Sequence, residues 1–295
     1  MNKTGSAAKV KLSSFDDLFG TEHPQTGTEQ VQEIALSELQ EFKGHPFKVL
    51  DDEKMQETVE SIREHGVLMP GIARPMKDGG YEIIAGHRRR HACELVGLVT
   101  MPMFIRDYTD DEATIIMVDS NIQREDILPS EKAKAYFMKY EAVKHQGKKG
   151  KGNSLDEVGE TAGESAKTVQ RYIYLAHLSD ALLDMVDKKK IGIVQGVELS
   201  FLTEQQQEWV QVVLEETGVI ISTVQASKLK EYGKSDELTL PMVRLILTEQ
   251  KLRERKVTIK ADKISRYFRK IIPMSRLKSV IYQLLDEWNS SNSEK

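Results

Sequence analysis

The chain has 295 residues, of which 39% are hydrophobic, and this length is typical of roughly two domains of about 100–200 residues each. Its single cysteine, Cys93, excludes an internal disulfide and a cysteine-based zinc cluster, and we interpret it as a small buried side chain in a helix. No apolar run approaches the ~18 residues of a membrane span, and the start of the chain lacks the apolar core of a signal peptide. We therefore expect a cytoplasmic protein.

The distribution of charge is more informative than its total. A formal net charge of −4 argues, by itself, against a nucleic acid as partner. However, residues 251–280 hold eleven Lys or Arg against two acidic residues, and a second basic cluster occupies residues 144–151. A single charge run is usually a solvated face, but local patches set the electrostatic footprint on a nucleic acid. Because of these two basic clusters, the negative net charge does not exclude a nucleic acid as a partner.

The N-terminal third of the chain divides into a tail and a folded part. Residues 1–33 are polar without a sustained period and predict a disordered tail. From Ile34 onward, short strand and helix patterns alternate, which predicts a small α/β domain over residues 34–127. In chain order, its predicted elements are a strand at 34–36, a helix capped by Asp51 or Asp52 and ended by Gly66, strands at 70–75 and 81–84, a helix at 88–96 stopped by Gly97, a strand near 101–105 and a helix from about 110 to 121.

Beyond Pro129 strand signals become sparse, so residues 128–232 predict an all-helical domain. Residues 233–295 form a basic, mainly helical C-terminal region, in which 256–260 alternates like an exposed strand. Ser275–Trp288 has the period of an amphipathic helix that can dock on its own chain or on a second copy, which makes dimerisation possible. The predicted fold class is therefore α+β, with a small α/β domain followed by helical regions.

Residues 155–174 have the spacing of a helix-turn-helix. Gly159 is small where the second helix crosses closely, Gly163 supplies a left-handed turn that a β-carbon resists, and Ser165 can cap the second helix. An ordinary helical hairpin has a similar pattern. Here the preceding loop is rich in lysine and the outward face is polar and cationic, so we expect double-stranded DNA as a partner.

The second helix of this motif would present its N-terminal residues to base edges. Gln170 is suited to adenine and Arg171 to guanine, which makes both candidate base readers. Lysines of the preceding loop would hold phosphates and make the affinity fall with salt. The candidate DNA-binding residues are Lys148, Lys149, Lys151, Ser165, Lys167, Thr168, Gln170 and Arg171, and Ala166 and Tyr174 are also expected to face outward.

The stretch Tyr81–Ala92 passes from a short apolar run to Gly86 and then to five consecutive basic residues. Cations crowded at a helix N-terminus are unfavourable unless an anion lies among them. Gly86 lets the backbone approach a ligand closely, and Arg88 and Arg89 can make bidentate contacts to phosphate oxygens. Since the sequence has no Walker-type phosphate loop, it predicts an anion site of another kind.

A second polar cluster, Asp119–Glu125, closes the same predicted domain. Its Asn121 and Gln123 side chains can coordinate magnesium or bind phosphate. The end of a helix with solvated polar groups has the same composition, and both interpretations stay open at this point.

The order of these motifs, Tyr81–Arg89, then Asn121–Glu125, then a helix-turn-helix, resembles the ParB/RepB family of plasmid and chromosome partition proteins over about residues 34–200. The resemblance implies a sulfiredoxin-like N-terminal domain that binds CTP with magnesium. It also implies a homodimer that closes as a clamp around DNA at a palindromic site, is associated with the nucleoid or a plasmid, and has a ParA-like ATPase as a possible partner. By position, the nucleotide-binding residues would be Gly86, His87, Arg88, Arg89, Ser120, Asn121, Gln123 and Arg124, with Asn121 as the magnesium ligand.

Two positions depart from the family pattern, which usually has glutamate where this chain has His87 and Ser120. Carboxylates are the groups best suited to hold magnesium or to position an attacking water, so the resemblance does not carry nucleotide hydrolysis over to this chain. His87 also stands where sulfiredoxin enzymes have their reactive cysteine, which argues against that activity. The alternative functions are a transcriptional regulator of a mobile element without clamp activity, and an enzyme, either a CTP hydrolase or a nuclease.

Overall fold

The computed structural model describes residues 30–124, 126–146, 154–249 and 274–292. The chain divides into two units, Met1–Glu249 and Gln250–Lys295. The first unit combines a five-stranded sheet with many helices, so the predicted α+β class is confirmed. In the described part of the chain, none of the helices is long and apolar enough to cross a membrane.

The strands form one mixed sheet in the order β1-β5-β3-β4-β2. The pairs β1–β5 and β3–β4 are antiparallel, and β3–β5 and β2–β4 are parallel. The first strand begins at Val31, so residues 31–33 belong to the sheet and not to the predicted tail. The strands are β1 (Val31–Ala35), β2 (Leu39–Gln40), β3 (Gly71–Pro75), β4 (Tyr81–Ala85) and β5 (Thr100–Ile105).

Helices cover both faces of this sheet because successive strand side chains point to opposite sides. Ile83 lies in a core with Met55 and Cys93 of the first two helices, whereas the adjacent Ile84 packs in another core with Met117 of the third. Cys93 is fully buried, as its sequence context predicts. These helices are α1 (Glu53–His65), α2 (His87–Val96) and α3 (Asp110–Asn121).

Local capping signals set the ends of these helices. The Asp52 carboxylate accepts a hydrogen bond of 2.8 Å from the Met55 backbone N–H at the start of α1, and Gly66 ends that helix. Gly97 adopts the left-handed conformation, with φ 86°, at the end of α2. Of the two predicted capping residues, Asp51 and Asp52, it is Asp52 that caps α1.

The rest of the first unit is helical and extends past the predicted end at residue 232. Helix α4 precedes the helix-turn-helix, which is built by α5 and α6, and five further helices follow. They are α4 (Pro129–His145), α5 (Ser154–Glu160), α6 (Ala166–Leu175), α7 (Asp180–Asp187), α8 (Ile193–Leu199), α9 (Glu204–Thr217), α10 (Thr223–Lys234) and α11 (Leu240–Thr248).

One hydrophobic core crosses residue 127, where the sequence predicts a domain boundary. Ile84 of the sheet and Met117 of α3 share it with Tyr136 of α4 and with Val158 and Ile173 of the helix-turn-helix. A separate core holds α7 to α11 together. The helix-turn-helix is therefore packed on the same apolar cluster as one face of the sheet.

In the second unit, helix α12 (Met274–Asn292) contains the predicted Ser275–Trp288 helix. Tyr282, Leu284, Leu285 and Trp288 are exposed on it. The predicted strand at 256–260 and most of the basic 251–280 segment lie outside the described residues.

Candidate functional site

The two polar motifs singled out in the sequence meet at one cavity of about 210 Å³. The N-terminus of α2 supplies one wall, the end of α3 a second, and the loop between β2 and α1 a third. The lining residues are His45, Phe47, Lys48, Val49, Ala85, Gly86, His87, Arg88, Arg89, Ser120, Asn121 and Arg124.

Gly86 joins β4 to α2 in a conformation that favours glycine. Its φ is 115°, and a β-carbon there would lie 3.2 Å from the Gly71 Cα and 3.4 Å from both Arg89 Nη2 and Met101 Cε. The side chain of a larger residue would therefore be strained and crowded at once. Gly86 brings the first backbone amides of α2 to the cavity wall, as expected for an anion site.

Arg88 and Arg89 line the cavity but differ in their partners. Arg88 Nη2 lies 3.0 Å from Asp52 Oδ1, and this guanidinium holds the pKa of that carboxyl below its usual range. Arg89 Nη1 instead donates to the backbone oxygens of Met69 and Pro70, the latter at 2.7 Å, and burial lowers the pKa of its guanidinium. Among the described residues, no carboxylate pairs with Arg89, so its half-buried charge is left for an anion to balance.

The other basic residues of α2 are already neutralised within the chain. Arg90 pairs with Glu94 at 3.0 Å, and His91 Nε2 lies 2.8 Å from Asp51 Oδ1. Acidic side chains of the chain itself therefore balance part of the basic row, and an external anion is not needed for each of its members. Arg89 alone keeps the electrostatic conflict that the sequence indicates.

The cavity as a whole is cationic. Its charged lining residues are Lys48, Arg88, Arg89 and Arg124, and no Asp or Glu is among the residues that line it. Four positive groups around about 210 Å³ favour a polyanion such as a triphosphate over a neutral ligand.

His87 and His45 form a stacked pair of neutral imidazoles at this site. Their ring centroids are 3.9 Å apart at an interplanar angle of 35°. Burial lowers the pKa of His87 to about 3, with the neighbouring His45 and Arg90 acting in the same direction, and burial also lowers the pKa of His45. His45 Nδ1 lies 2.8 Å from the Phe47 carbonyl oxygen, while both Nε2 atoms are buried without a hydrogen-bond partner. His87 therefore adds no positive charge near neutral pH.

The end of α3 offers few ligands for a metal ion. Asn121 Nδ2 donates to the Met117 carbonyl oxygen at 2.9 Å and to Ser120 Oγ at 3.2 Å. Magnesium in proteins is usually bound through one or two carboxylates together with phosphates, and the lining has none. The described residues contain no cluster of three His, Cys, Asp or Glu side chains suited to a metal. This donor set does not fit a magnesium ion held by the protein itself.

Three features of the site differ from the sequence expectation. Gln123 is directed to the helix-turn-helix, where its Nε2 donates to the Thr161 carbonyl oxygen at 3.1 Å, and it does not line the cavity. The loop residues His45, Phe47, Lys48 and Val49 line the cavity, and the sequence analysis did not predict them as site residues. Asp52 was identified only as a cap, and its link to Arg88 depends on tertiary contact.

A polar network joins the end of α3 to the turn of the helix-turn-helix. The Lys139 side chain is 4% exposed, and its Nζ donates to Asp119 Oδ1 at 2.6 Å and to Thr161 Oγ1 at 3.2 Å. Gln123 Nε2 donates to the backbone carbonyl oxygen of the same Thr161. The cavity wall and the helix-turn-helix are therefore linked by hydrogen bonds as well as by a common core.

The helix-turn-helix has the geometry expected from its sequence. A β-carbon at Gly159 would collide with the Glu164 carbonyl oxygen and approach Val169 Cγ2 to 2.9 Å, and Gly163 has a φ of 65° in open space. Ser165 accepts a hydrogen bond from the Thr168 N–H at the start of α6. The helix-turn-helix spacing predicted for 155–174 is thus present in α5 and α6.

Helix α6 exposes most of the side chains proposed to read DNA. Ser165, Lys167, Gln170 and Arg171 are exposed, and Thr168 is half-buried with its Oγ1 3.0 Å from Ser165 Oγ. The three lysines 148, 149 and 151 lie outside the described residues. A polar and cationic helix face of this kind is typical of a surface that enters the major groove.

Comparison with known proteins identifies the family to which the chain belongs. The family model of the ParB N-terminal domain matches residues 20–122. A curated relative named "Probable chromosome 1-partitioning protein ParB", from Deinococcus radiodurans, is 32% identical over 209 residues, covering 71% of this chain and 69% of the relative.

Two solved structures of C-terminally truncated ParB from Caulobacter crescentus are also similar, each covering 68% of this chain and 98% of the other. The one complexed to the centromeric parS site is 21% identical with a TM-score of 0.39, and the one complexed with CTP-gamma-S is 25% identical with a TM-score of 0.31. Because both scores are low, family membership rests on the sequence relative. The chain belongs to the ParB family of chromosome-partitioning proteins.

Proposed function

We propose that this chain is a sequence-specific DNA-binding protein that acts in the segregation of a chromosome, plasmid or mobile element. The observation that carries the proposal is the exposed face of α6, with Lys167, Gln170 and Arg171 beside the tight turn at Gly163. A homodimer would match a palindromic site, because its two-fold symmetry maps onto the two half-sites. A ParA-like ATPase is the proposed further partner, and the nucleoid or a plasmid in the cytoplasm the proposed location.

The cationic cavity is proposed to bind CTP and to act as the switch of a DNA clamp. The support is the set of four basic side chains around a glycine-led helix N-terminus, and above all Arg89, which has only carbonyl partners among the described residues. Lys48, Arg88, Arg89 and Arg124 would contact the phosphates. The prediction of Asn121 as a magnesium ligand is not kept, because the side chains that line the cavity include no carboxylate to hold the ion beside it.

Binding without turnover is the expected behaviour of this cavity. No lining side chain is a carboxylate that could position an attacking water, and His87 is neutral and buried where the family usually has glutamate. Release of inorganic phosphate from CTP, measured with and without DNA, tests this part. Steady release that disappears in a cavity variant would contradict it.

The DNA-binding proposal is tested on a duplex selected from a random library by the protein itself. Arg171→Ala should weaken binding to the selected duplex by about 10- to 100-fold, the range of one lost bidentate base contact, and change binding to a random duplex far less. Lys188→Ala is the matched control, because Lys188 is an exposed cation in an i,i+4 pair with Asp184. Equal losses on both duplexes for Arg171→Ala would refute the role of Arg171 as a base reader.

The nucleotide proposal is tested by calorimetry with CTP. Arg88→Ala combined with Arg89→Ala should abolish binding, and Arg124→Ala should weaken it without removing an intramolecular ion pair of the described residues. Arg63→Ala is the control, because Arg63 is an exposed arginine on α1, away from the cavity. A wild-type protein without affinity for any nucleotide at millimolar concentration would overturn the switch.

Chromatin immunoprecipitation separates the partition clamp from the regulator of a mobile element. A clamp that slides gives a footprint of kilobase width, whereas a regulator gives a peak confined to one operator. Plasmid nicking by the purified protein would instead indicate a nuclease.

A further inference from the structure

A second basic surface begins at the last residue of the predicted motif 155–174 and extends beyond it along the border of the exposed face of α6. Tyr174, in the last turn of α6, packs on Phe201 with ring centroids 5.1 Å apart. Two lysines of α10 lie over the same Phe201 ring, Lys230 Nζ at 3.8 Å and Lys234 Nζ at 5.7 Å from its centroid. We call Tyr174, Phe201, Lys230 and Lys234 the aromatic-lysine patch.

The patch continues the proposed reading face of α6. Tyr174 follows Arg171 by three residues and Gln170 by four, so all three share one side of the helix. Gln170 Nε2 lies 3.5 Å from the Tyr174 hydroxyl oxygen, which places the two side chains in contact. A duplex that meets Gln170 and Arg171 would therefore extend toward Phe201.

The separation along the helix matches the distance from base edges to a phosphate strand. From Gln170 to Tyr174 the axis advances about 6 Å at about 1.5 Å per residue. The major groove of B-DNA is about 12 Å wide, so a group about half that width away from side chains that read bases in the groove lies beside the backbone.

The two lysines of the patch differ in their charge partners. Lys230 Nζ is 3.2 Å from Glu198 Oε2, so its charge is largely neutralised inside the protein. Lys234 is exposed, and among the described residues it pairs with no carboxylate. The interaction of the Lys234 ammonium with the Phe201 ring restricts the Lys234 side chain before any ligand binds.

We propose that Lys234, positioned beside Phe201 at the end of the α6 reading face, binds a backbone phosphate of the duplex that α6 reads. The inference rests on the proposed DNA-binding function and adds a phosphate contact outside the helix-turn-helix. Such a contact raises affinity for all sequences and fixes the register of the helix in the groove without reading a base. Phe201 is a positioning residue, because its ring holds the Lys234 side chain and is not required to touch DNA.

The test measures affinity for the selected and the random duplex across a salt series. Lys234→Ala should weaken binding to both duplexes by about the same factor, roughly fivefold near 0.1 M salt, because one phosphate contact is lost. The slope of log K against log salt should become shallower by about 0.9, so that raising salt from about 50 to about 200 mM weakens the variant about threefold less than the wild type. Lys234→Arg should retain most of the affinity.

Lys228→Ala is the matched control, because it removes the same charge from the same helix at a residue paired with Glu249 at 2.8 Å. Phe201→Ala should fall between the control and Lys234→Ala, and circular dichroism checks that each variant is folded. Unchanged affinity and slope for Lys234→Ala, or changes equal to those of Lys228→Ala, would overturn the proposal. A loss on the selected duplex alone would also overturn it, because a phosphate contact carries no sequence preference. A wild type without affinity for either duplex would refute the proposed DNA-binding function as well.

Discussion

Acid should destabilise this protein through His87, and the size of the effect follows from its buried imidazole. Burial holds the pKa of His87 at about 3 in the folded chain, whereas an unfolded histidine titrates near its ordinary value of 6.5. Between these two values the unfolded chain binds a proton that the folded chain excludes. The free energy of unfolding therefore rises with pH across this window and falls as the solution is acidified.

The magnitude from pH 7 to pH 5 is set by protonation of the unfolded imidazole, because the folded one stays neutral over this range. The linkage relation gives a loss of about 2 kcal/mol from His87 alone. The assay is urea unfolding followed by circular dichroism at both pH values, with the linear extrapolation applied to each curve.

His87→Gln keeps a polar side chain but removes the titration, so it should lose about 2 kcal/mol less than the wild type between these pH values. His65→Gln is the control, because the His65 side chain is 60% exposed at the end of α1, and it should behave like the wild type. An identical pH dependence for the wild type and His87→Gln would show that the buried imidazole is not the cause, and would refute the reasoning.

Two further predictions concern the helix-turn-helix and its support. Gly159→Ala should lower the free energy of unfolding by about 2–3 kcal/mol in urea titrations, because the new methyl group meets the Glu164 carbonyl oxygen, and it should weaken DNA binding. Gly163→Asn should cost less than about 1 kcal/mol, because asparagine tolerates the left-handed conformation and the space is open; equal costs would contradict the steric argument. Lys139→Met should cost about 3–5 kcal/mol by leaving the Asp119 carboxylate without its buried partner, and adding Asp119→Leu should recover part of the loss in the same assay. A double variant no more stable than the single one would count against a buried ion pair.

Local chemistry explains why so much of the fold is predictable from the sequence. The Asp52 cap and the glycines 66 and 97 determine helix ends by contacts within a few residues, and the turn at Gly163 is set by its own backbone. Each of these signals lies within a short stretch of sequence and depends on no distant residue. The domain boundaries predicted at residues 127 and 232 do not depend on local signals. Packing between distant parts of the chain decides which helices share a core.

Only part of the cavity was predicted, because some of its contacts join residues that are far apart in the sequence. Gly86, Arg88 and Arg89 form a local pattern, and all three residues line the cavity. The stacking of His45 on His87 joins residues far apart in sequence, and no short motif encodes it. Likewise, Asp52 is far from Arg88 in the sequence, and their pairing is visible only once α1 and α2 are folded.

The apolar cluster that crosses residue 127 limits where part of this chain can be joined to part of a relative in a chimera. A chimera joined at that position would place Ile84 and Met117 from one parent against Tyr136 and Ile173 from the other. Interiors packed to crystal-like density tolerate volume-conserving changes and resist others, so such a hybrid would need matched side chains on both sides of the junction. The proposed specificity for DNA can therefore be transplanted most safely at the exposed positions of α6, and the cavity half of the protein is expected to gain and lose hydrogen-exchange protection together with α6.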